Sequence, residues 1–186
     1  AISTFFSEGK GLALKEKQPD GEQLTPAQWE DLTHFEGNAN AFRLLTHQFE
    51  GRRKGGFVLT YSTLASIVKY PFSSLAGQKS KFGFFTTEEE SFWRIAEELG
   101  MKQLNGSPLK YARHPLVYLV EAADDICYQM MDIEDAHKLK ILTTQETQDL
   151  LLAYFPDERK AHILDTLKIV SDTNEQIAYL RSSVIG

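Results

Sequence analysis

Four acids and a phenol share one face of what reads as the longest helix in this chain of 186 residues. Between His114 and Asp135, a turn of about 100° per residue brings Glu121, Asp124, Tyr128, Asp132 and Asp135 within roughly 80° of one another. Most other positions there are apolar around nearly the whole circumference, which is the pattern of a central, largely buried helix. Like charges one turn apart repel, and burial sharpens the repulsion. A divalent cation or an array of hydrogen-bond donors would relieve it. So would a face simply turned to water.

The second feature is where the positive charge sits. The chain carries 20 Lys and Arg against 26 Asp and Glu, a net charge of −6 that argues against a general polyanion binder. Residues 43–81 nevertheless carry Arg43, Arg52, Arg53, Lys54, Lys69, Lys79 and Lys81 against the single acid Glu50. A basic stretch inside an acidic protein suggests a confined anion site, such as a phosphate pocket, more than a nucleic-acid track. The plain alternative is a pair of exposed basic loops.

Other chemistry is absent from the text. It has no GxxxxGK[ST] phosphate loop, GxGxxG, HExxH, CxxC or GxSxG. The five histidines, His34, His47, His114, His137 and His162, are scattered, with no pair at the i,i+4 spacing that chelates a metal. Cys127, the one cysteine, lies in the apolar helix and reads as a small core residue. A single cysteine forms no internal disulfide, so a reducing, cytoplasmic setting is the default expectation. No apolar run approaches the ~18 residues needed to span a bilayer. The opening Ala1-Ile2-Ser3-Thr4-Phe5-Phe6 is helix-like, with no secretory leader, and reads as text cut from something longer.

The elements that must position these residues are helical nearly throughout. Thr25-Pro26-Ala27-Gln28 joins an N-cap, a Pro at the first helical position and a capping-box Gln. Trp29, Leu32, Phe35, Ala39, Phe42 and Leu45 follow at helical spacing, with Gly37 a weak point. Thr60 predicts a short helix to Lys69, and Thr87 with Glu88, Glu89 and Glu90 another, stopping at Gly100. The long helix runs from His114-Pro115 to about Leu142; Thr143 with Glu146 caps the next, and residues 158–182 give one or two more. Phe57–Leu59 and Phe82–Phe85 resemble strands but are too short for a sheet. The expectation is one all-α domain, or part of one, over residues 1–186.

Five words of this text, in order, resemble a known family. They are Phe35-Glu36-Gly37-Asn38-Ala39-Asn40-Ala41-Phe42-Arg43, Leu64-Ala65-Ser66-Ile67-Val68-Lys69-Tyr70-Pro71, Lys81-Phe82-Gly83-Phe84-Phe85, Glu121-Ala122-Ala123-Asp124-Asp125-Ile126-Cys127-Tyr128 and Asp132-Ile133-Glu134-Asp135. They resemble bacterial deoxyguanosine triphosphate triphosphohydrolases of the HD-domain superfamily. The resemblance covers residues 1 to about 140, and residues 141–186 read as further helices. It implies an all-helical HD-superfamily fragment and cleavage of a deoxynucleoside triphosphate into deoxynucleoside and tripolyphosphate. It also implies a divalent metal, Mn or Mg, held by a His, a His-Asp pair and a later Asp.

By that resemblance Asp124 matches the later metal-binding Asp, and Tyr128 and Asp132 match residues facing the deoxyribose. Lys69 and Lys81 match phosphate-contacting lysines, with Lys79 an alternative to Lys81, and Asn38 and Tyr70 match pocket residues near the phosphates. No His-Asp dipeptide occurs in these residues. The resemblance places the remaining ligands and a catalytic His upstream, so this chain alone is expected to be inactive. Implied partners are dGTP or another dNTP, a second copy of the chain in a homo-oligomer, and single-stranded DNA. The competing reading is a non-catalytic helical module that keeps a nucleotide pocket for regulation or assembly. A plain helical bundle with a solvated acidic stripe is the third.

Overall fold

A computed structural model describes residues 1–15, 23–51, 56–76, 81–104 and 110–186. Arg52, Arg53, Lys54 and Lys79 of the basic stretch lie outside the described residues. Helix makes up 63% of the described residues. The described residues form nine α-helices and no strand: α1 (Ile2–Ser7), α2 (Pro26–Thr33), α3 (Gly37–Thr46), α4 (Tyr61–Ser66), α5 (Glu89–Glu98), α6 (Leu116–Lys138), α7 (Thr144–Leu152), α8 (Asp157–Leu167) and α9 (Thr173–Ile185). The all-α expectation holds, and extended pairing among the described residues is confined to the bridges Phe72–Lys110 and Gln103–Tyr111.

Local signals start and stop these helices. Thr25 with Gln28 and Thr143 with Glu146 form complete capping boxes, and Thr60 accepts from the Thr63 amide. Gly100, at φ +61°, takes the left-handed turn after α5. One expectation fails: the apolar periodicity from Trp29 to Leu45 is not one helix. His34 closes α2, and Glu36, extended at φ −123° and ψ 131°, caps α3. A side-chain bond to the Asn38 amide outweighs continued helical backbone at Glu36.

Two compact units divide the chain, Ala1–Val120 and Glu121–Gly186. The core of the first is aromatic. Phe92 of α5 stacks on Phe84 at 4.5 Å and meets Phe42 and Tyr111 edge-on, each at 5.7 Å. Leu64, Ala65, Val68 and Ile95 close around them. Each such Phe stabilises the fold by about 2 kcal/mol through burial alone. A smaller cluster, Ala39, Phe82 and Phe85, sits under the start of α3.

The second unit packs Met130 of α6 against Leu151 and Phe155 of α7 and its end, Ile163 and Leu167 of α8, and Ile177 and Leu180 of α9. Glu134, 8% exposed, is held by Lys138 at 2.7 Å on its own helix and by Arg181 of α9 at 2.9 Å.

The expectation that the long helix is largely buried is corrected. On α6 only Val117, Met130 and Glu134 are buried, while Leu119 is 67% and Ile126 57% exposed. Periodicity reports which faces a helix could bury; these neighbours supply packing to only a narrow stripe. Cys127 is accordingly half-buried and free rather than a core residue.

Candidate phosphate-binding site

The site in the first unit grows from a buried carboxylate. Glu36, 6% exposed, accepts from the Asn38 amide at 2.5 Å with Oε2 and from the Lys81 ammonium at 2.9 Å with Oε1. Burial pushes the Glu36 carboxyl up, but the hydrogen bonds from Lys81 and Asn38 more than offset it, leaving the carboxyl below its ordinary range. The bond to Glu36, then its charge, raises Lys81 in turn. The Lys81 side chain remains 51% exposed, so its charge faces outward from a fixed base.

Two devices bring residue 81 to residue 36. Asp31 of α2, itself buried, accepts from the Ser74 hydroxyl at 2.6 Å and from the Thr86 amide at 2.7 Å, fastening both flanks of the segment that carries Lys81. Gly83 then lies against residues 68–70. A Cβ there would collide with the Tyr70 carbonyl and stand 2.6 Å from the Val68 side chain. Only glycine permits that approach, and its amide donates to the Phe72 carbonyl at 3.0 Å.

The Tyr70 ring is the centre of the cluster. The Lys81 ammonium lies 5.9 Å from its centroid, and the Arg113 guanidinium carbon lies at 5.9 Å as well. Lys69, half-buried beside it, is close enough for its charge to oppose that of Lys81. Four residues nominated from sequence, Asn38, Lys69, Tyr70 and Lys81, are thus neighbours in one place. Arg43, from the same basic stretch, is not among them: it clamps the buried Glu88 at 2.6 Å and ties α3 to the turn before α5.

Asp124, Tyr128 and Asp132 stand on α6 in the second unit, all three exposed. Glu121 is half-buried, and Asp135 lies 3.8 Å from Lys138. Four members of the file, Asp124, Tyr128, Asp132 and Asp135, are thus exposed, and Glu121 is not. Asp124 is a hard oxygen donor of the kind Mn and Mg take. Among the described residues, however, no group of three or more His, Cys, Asp or Glu could hold a metal ion. Asp124 by itself is one donor and does not make up a metal site.

The histidines have local roles. His34 sits 3.0 Å from Glu30, His137 3.0 Å from Thr144, and His114 accepts from the Leu116 amide where α6 begins. A concavity of about 590 Å³ lined by His47, Tyr61, Glu88 and Arg94, among others, contains none of the nominated residues. Sequence reasoning missed two members of the cluster. Glu36 was visible only as a letter in a motif, although an acid two residues before Asn38 at a helix start is a capping signal. Arg113 lies outside the basic stretch, and no local pattern marks it.

No protein-family model matches the chain. Curated relatives do. The chain is 41% identical, over 85% of its length, to a deoxyguanosinetriphosphate triphosphohydrolase-like protein of Pseudomonas aeruginosa, and 37% identical, over 81%, to one of Synechocystis. It is 31% identical, over 89% of its length, to the deoxyguanosinetriphosphate triphosphohydrolase of Yersinia enterocolitica. These matches cover 35%, 36% and 32% of the relatives, so the chain spans about a third of their length. Through a likeness that extends over most of its residues, the chain belongs to the deoxyguanosine triphosphate triphosphohydrolase family of the HD superfamily.

Proposed function

We propose that this chain forms the polyphosphate- and sugar-contacting part of a deoxynucleoside triphosphate triphosphohydrolase, with dGTP as the first substrate to test. Water adds to the α-phosphorus, the bond from phosphorus to the 5′ oxygen breaks, and that oxygen takes a proton. The products are deoxyguanosine and intact tripolyphosphate. Lys69 and Lys81 neutralise phosphate charge, while Asn38 and Tyr70 hydrogen-bond nearby. Tyr128 crowds the 2′ position of the sugar and Asp132 accepts from the 3′ hydroxyl. Asp124 contributes one ligand for Mn or Mg, and a bound divalent ion would polarise a phosphoryl oxygen.

One observation carries the reading: a buried carboxylate fixes a half-exposed ammonium beside an asparagine and a tyrosine. An ammonium has three donors, and Glu36 takes one of them. Homo-oligomer formation and contact with single-stranded DNA belong to the same reading, as does a cytoplasmic setting. No helix among the described residues is long and apolar enough to cross a membrane.

The test is release of tripolyphosphate from dGTP by a protein that carries this segment together with the upstream ligands, in Mn or Mg. Turnover is expected, Asp124→Ala should abolish it, and full activity in that variant would remove Asp124 from the metal role. The 186-residue chain alone is expected to be inactive. Absence of turnover in the longer protein, with dGTP binding indifferent to chelator, would instead establish the non-catalytic nucleotide-binding module.

A further inference from the structure

We propose that the concavity of about 590 Å³ beside α5 is a second ligand site, which takes an uncharged guanine-type nucleoside through Glu88. None of the residues nominated for the polyphosphate site lines it. Glu88 is 4% exposed, and its two oxygens are used unequally. Oε1 accepts from the Arg43 guanidinium at 2.6 Å and from the Thr87 hydroxyl at 2.9 Å. Oε2 is buried and has no hydrogen-bond partner among the described residues. A carboxylate offers about four lone-pair sites, so two taken at Oε1 leave those of Oε2 open. A buried charged oxygen without a donor is unfavourable, and folded proteins supply one from the chain, water or a ligand. Arg43 comes to the carboxylate from the wall of a neighbouring concavity, which it lines with Asp31 and Phe85, whereas Glu88 is the buried acid of this one.

The rest of the wall selects the ligand. Leu64 and Ile95, both buried, and the exposed Val58 and Tyr61 give it apolar and aromatic surface, which suits a flat ring. Both acids of the wall already have cations: Glu88 has Arg43, and Glu90 has Arg94 at 3.1 Å. Neither a phosphate nor an ammonium therefore meets surplus opposite charge, and an uncharged donor fits. Guanine sets a ring N–H beside an amino group, two adjacent donors that converge on one carboxylate oxygen. Adenine sets a ring acceptor beside its amino group, and thymine flanks its N–H with two carbonyls. Either would turn an acceptor toward an oxygen that only accepts.

The experiment is titration calorimetry of the 186-residue chain with deoxyguanosine, and with deoxyadenosine and thymidine for comparison. Deoxyguanosine should bind one to one, about tenfold more tightly than either, and with the same Kd in saturating inorganic tripolyphosphate. Glu88→Gln should weaken binding about tenfold. Because that change also removes the charge partner of Arg43, a second variant acts from the exposed side of the wall: Ser91→Phe should fill the concavity and abolish binding with a parent-like melting midpoint. Absence of deoxyguanosine binding by the parent chain, equal affinity for the three nucleosides, or binding untouched by Ser91→Phe would overturn the proposal. Displacement of deoxyguanosine by tripolyphosphate would also overturn it, by moving the nucleoside to the Lys81 site, and would leave the polyphosphate reading standing.

Discussion

The ammonium of Lys81 and the buried carboxylate of Glu36 meet at 2.9 Å across 45 residues of sequence. Glu36 also receives the Asn38 amide that opens α3. One carboxylate therefore fixes the first turn of a helix and the direction of a cation on a distant segment. Disturbing it should be felt in stability and in anion binding together.

Stability against acid should report this pair. The Glu36 carboxyl sits below its ordinary value of 4.5, so its contribution is complete above that value and is lost as pH falls through the lowered one. Lys81 is raised above 10.5; its share is present below that value and fades only at higher pH. The difference in melting midpoint between the parent chain and Glu36→Gln should be constant near neutrality and shrink below pH 4.5. An unchanging difference down to strong acid would show that Glu36 is not ionised in the fold.

Glu36→Gln should also loosen Lys81. A neutral amide bonds an ammonium more weakly than a carboxylate does, and tripolyphosphate affinity should fall by about threefold to tenfold. Glu36→Asp, which keeps the charge on a shorter stem, should restore only part of it. Calorimetry on the two variants decides this, and equal affinity in all three proteins would separate Glu36 from anion binding.

Gly83→Ala should destabilise the first unit by about 1–3 kcal/mol, because the added methyl meets the Tyr70 carbonyl, which cannot move without disturbing the backbone around it. Urea unfolding measures the loss. The same variant should bind tripolyphosphate more weakly, since the collision separates Lys81 from Tyr70. A parent-like urea midpoint would mean the two segments approach less closely than described.

Asp31→Ala removes the acceptor for the Ser74 hydroxyl and the Thr86 amide. A loss of about 2 kcal/mol is expected, chiefly from leaving the Thr86 amide without its charged partner. Hydrogen exchange should accelerate at Thr86 and Gly83 and stay unchanged at Leu151 and Ile177. Uniform acceleration along the whole chain would indicate global unfolding rather than release of this segment.

In the second unit, Glu134→Gln tests the buried acid between Lys138 and Arg181. Replacing its charge should cost about 1–3 kcal/mol, because Arg181 loses its ionic partner on the packed side of α9. Urea unfolding followed by hydrogen exchange at Met130 and Leu180 gives the value. A neutral effect would leave the α6–α9 packing to Met130, Leu180 and their apolar neighbours.

Caps, periodicity and ordered motif words sufficed for much of this protein. Thr25 with Gln28, Thr60, and Thr143 with Glu146 act within one turn of chain, so their helices were legible where they begin. The all-α class follows from the same local rules, and the family from ordered words, in agreement with relatives 31% to 41% identical to the chain. What the text could not give depends on which surfaces meet. Periodicity joined α2 to α3, and a single side-chain bond at Glu36 separates them. Apolar composition made α6 a buried helix, but burial belongs to the neighbours a helix finds, and most of this one faces water. The basic stretch suggested an anion site; tertiary packing assigned Arg43 to Glu88, Lys81 to Glu36, and brought in Arg113 from beyond the stretch. Short-range backbone chemistry is written in adjacent residues, whereas a charge acquires its role from partners that only folding brings within reach.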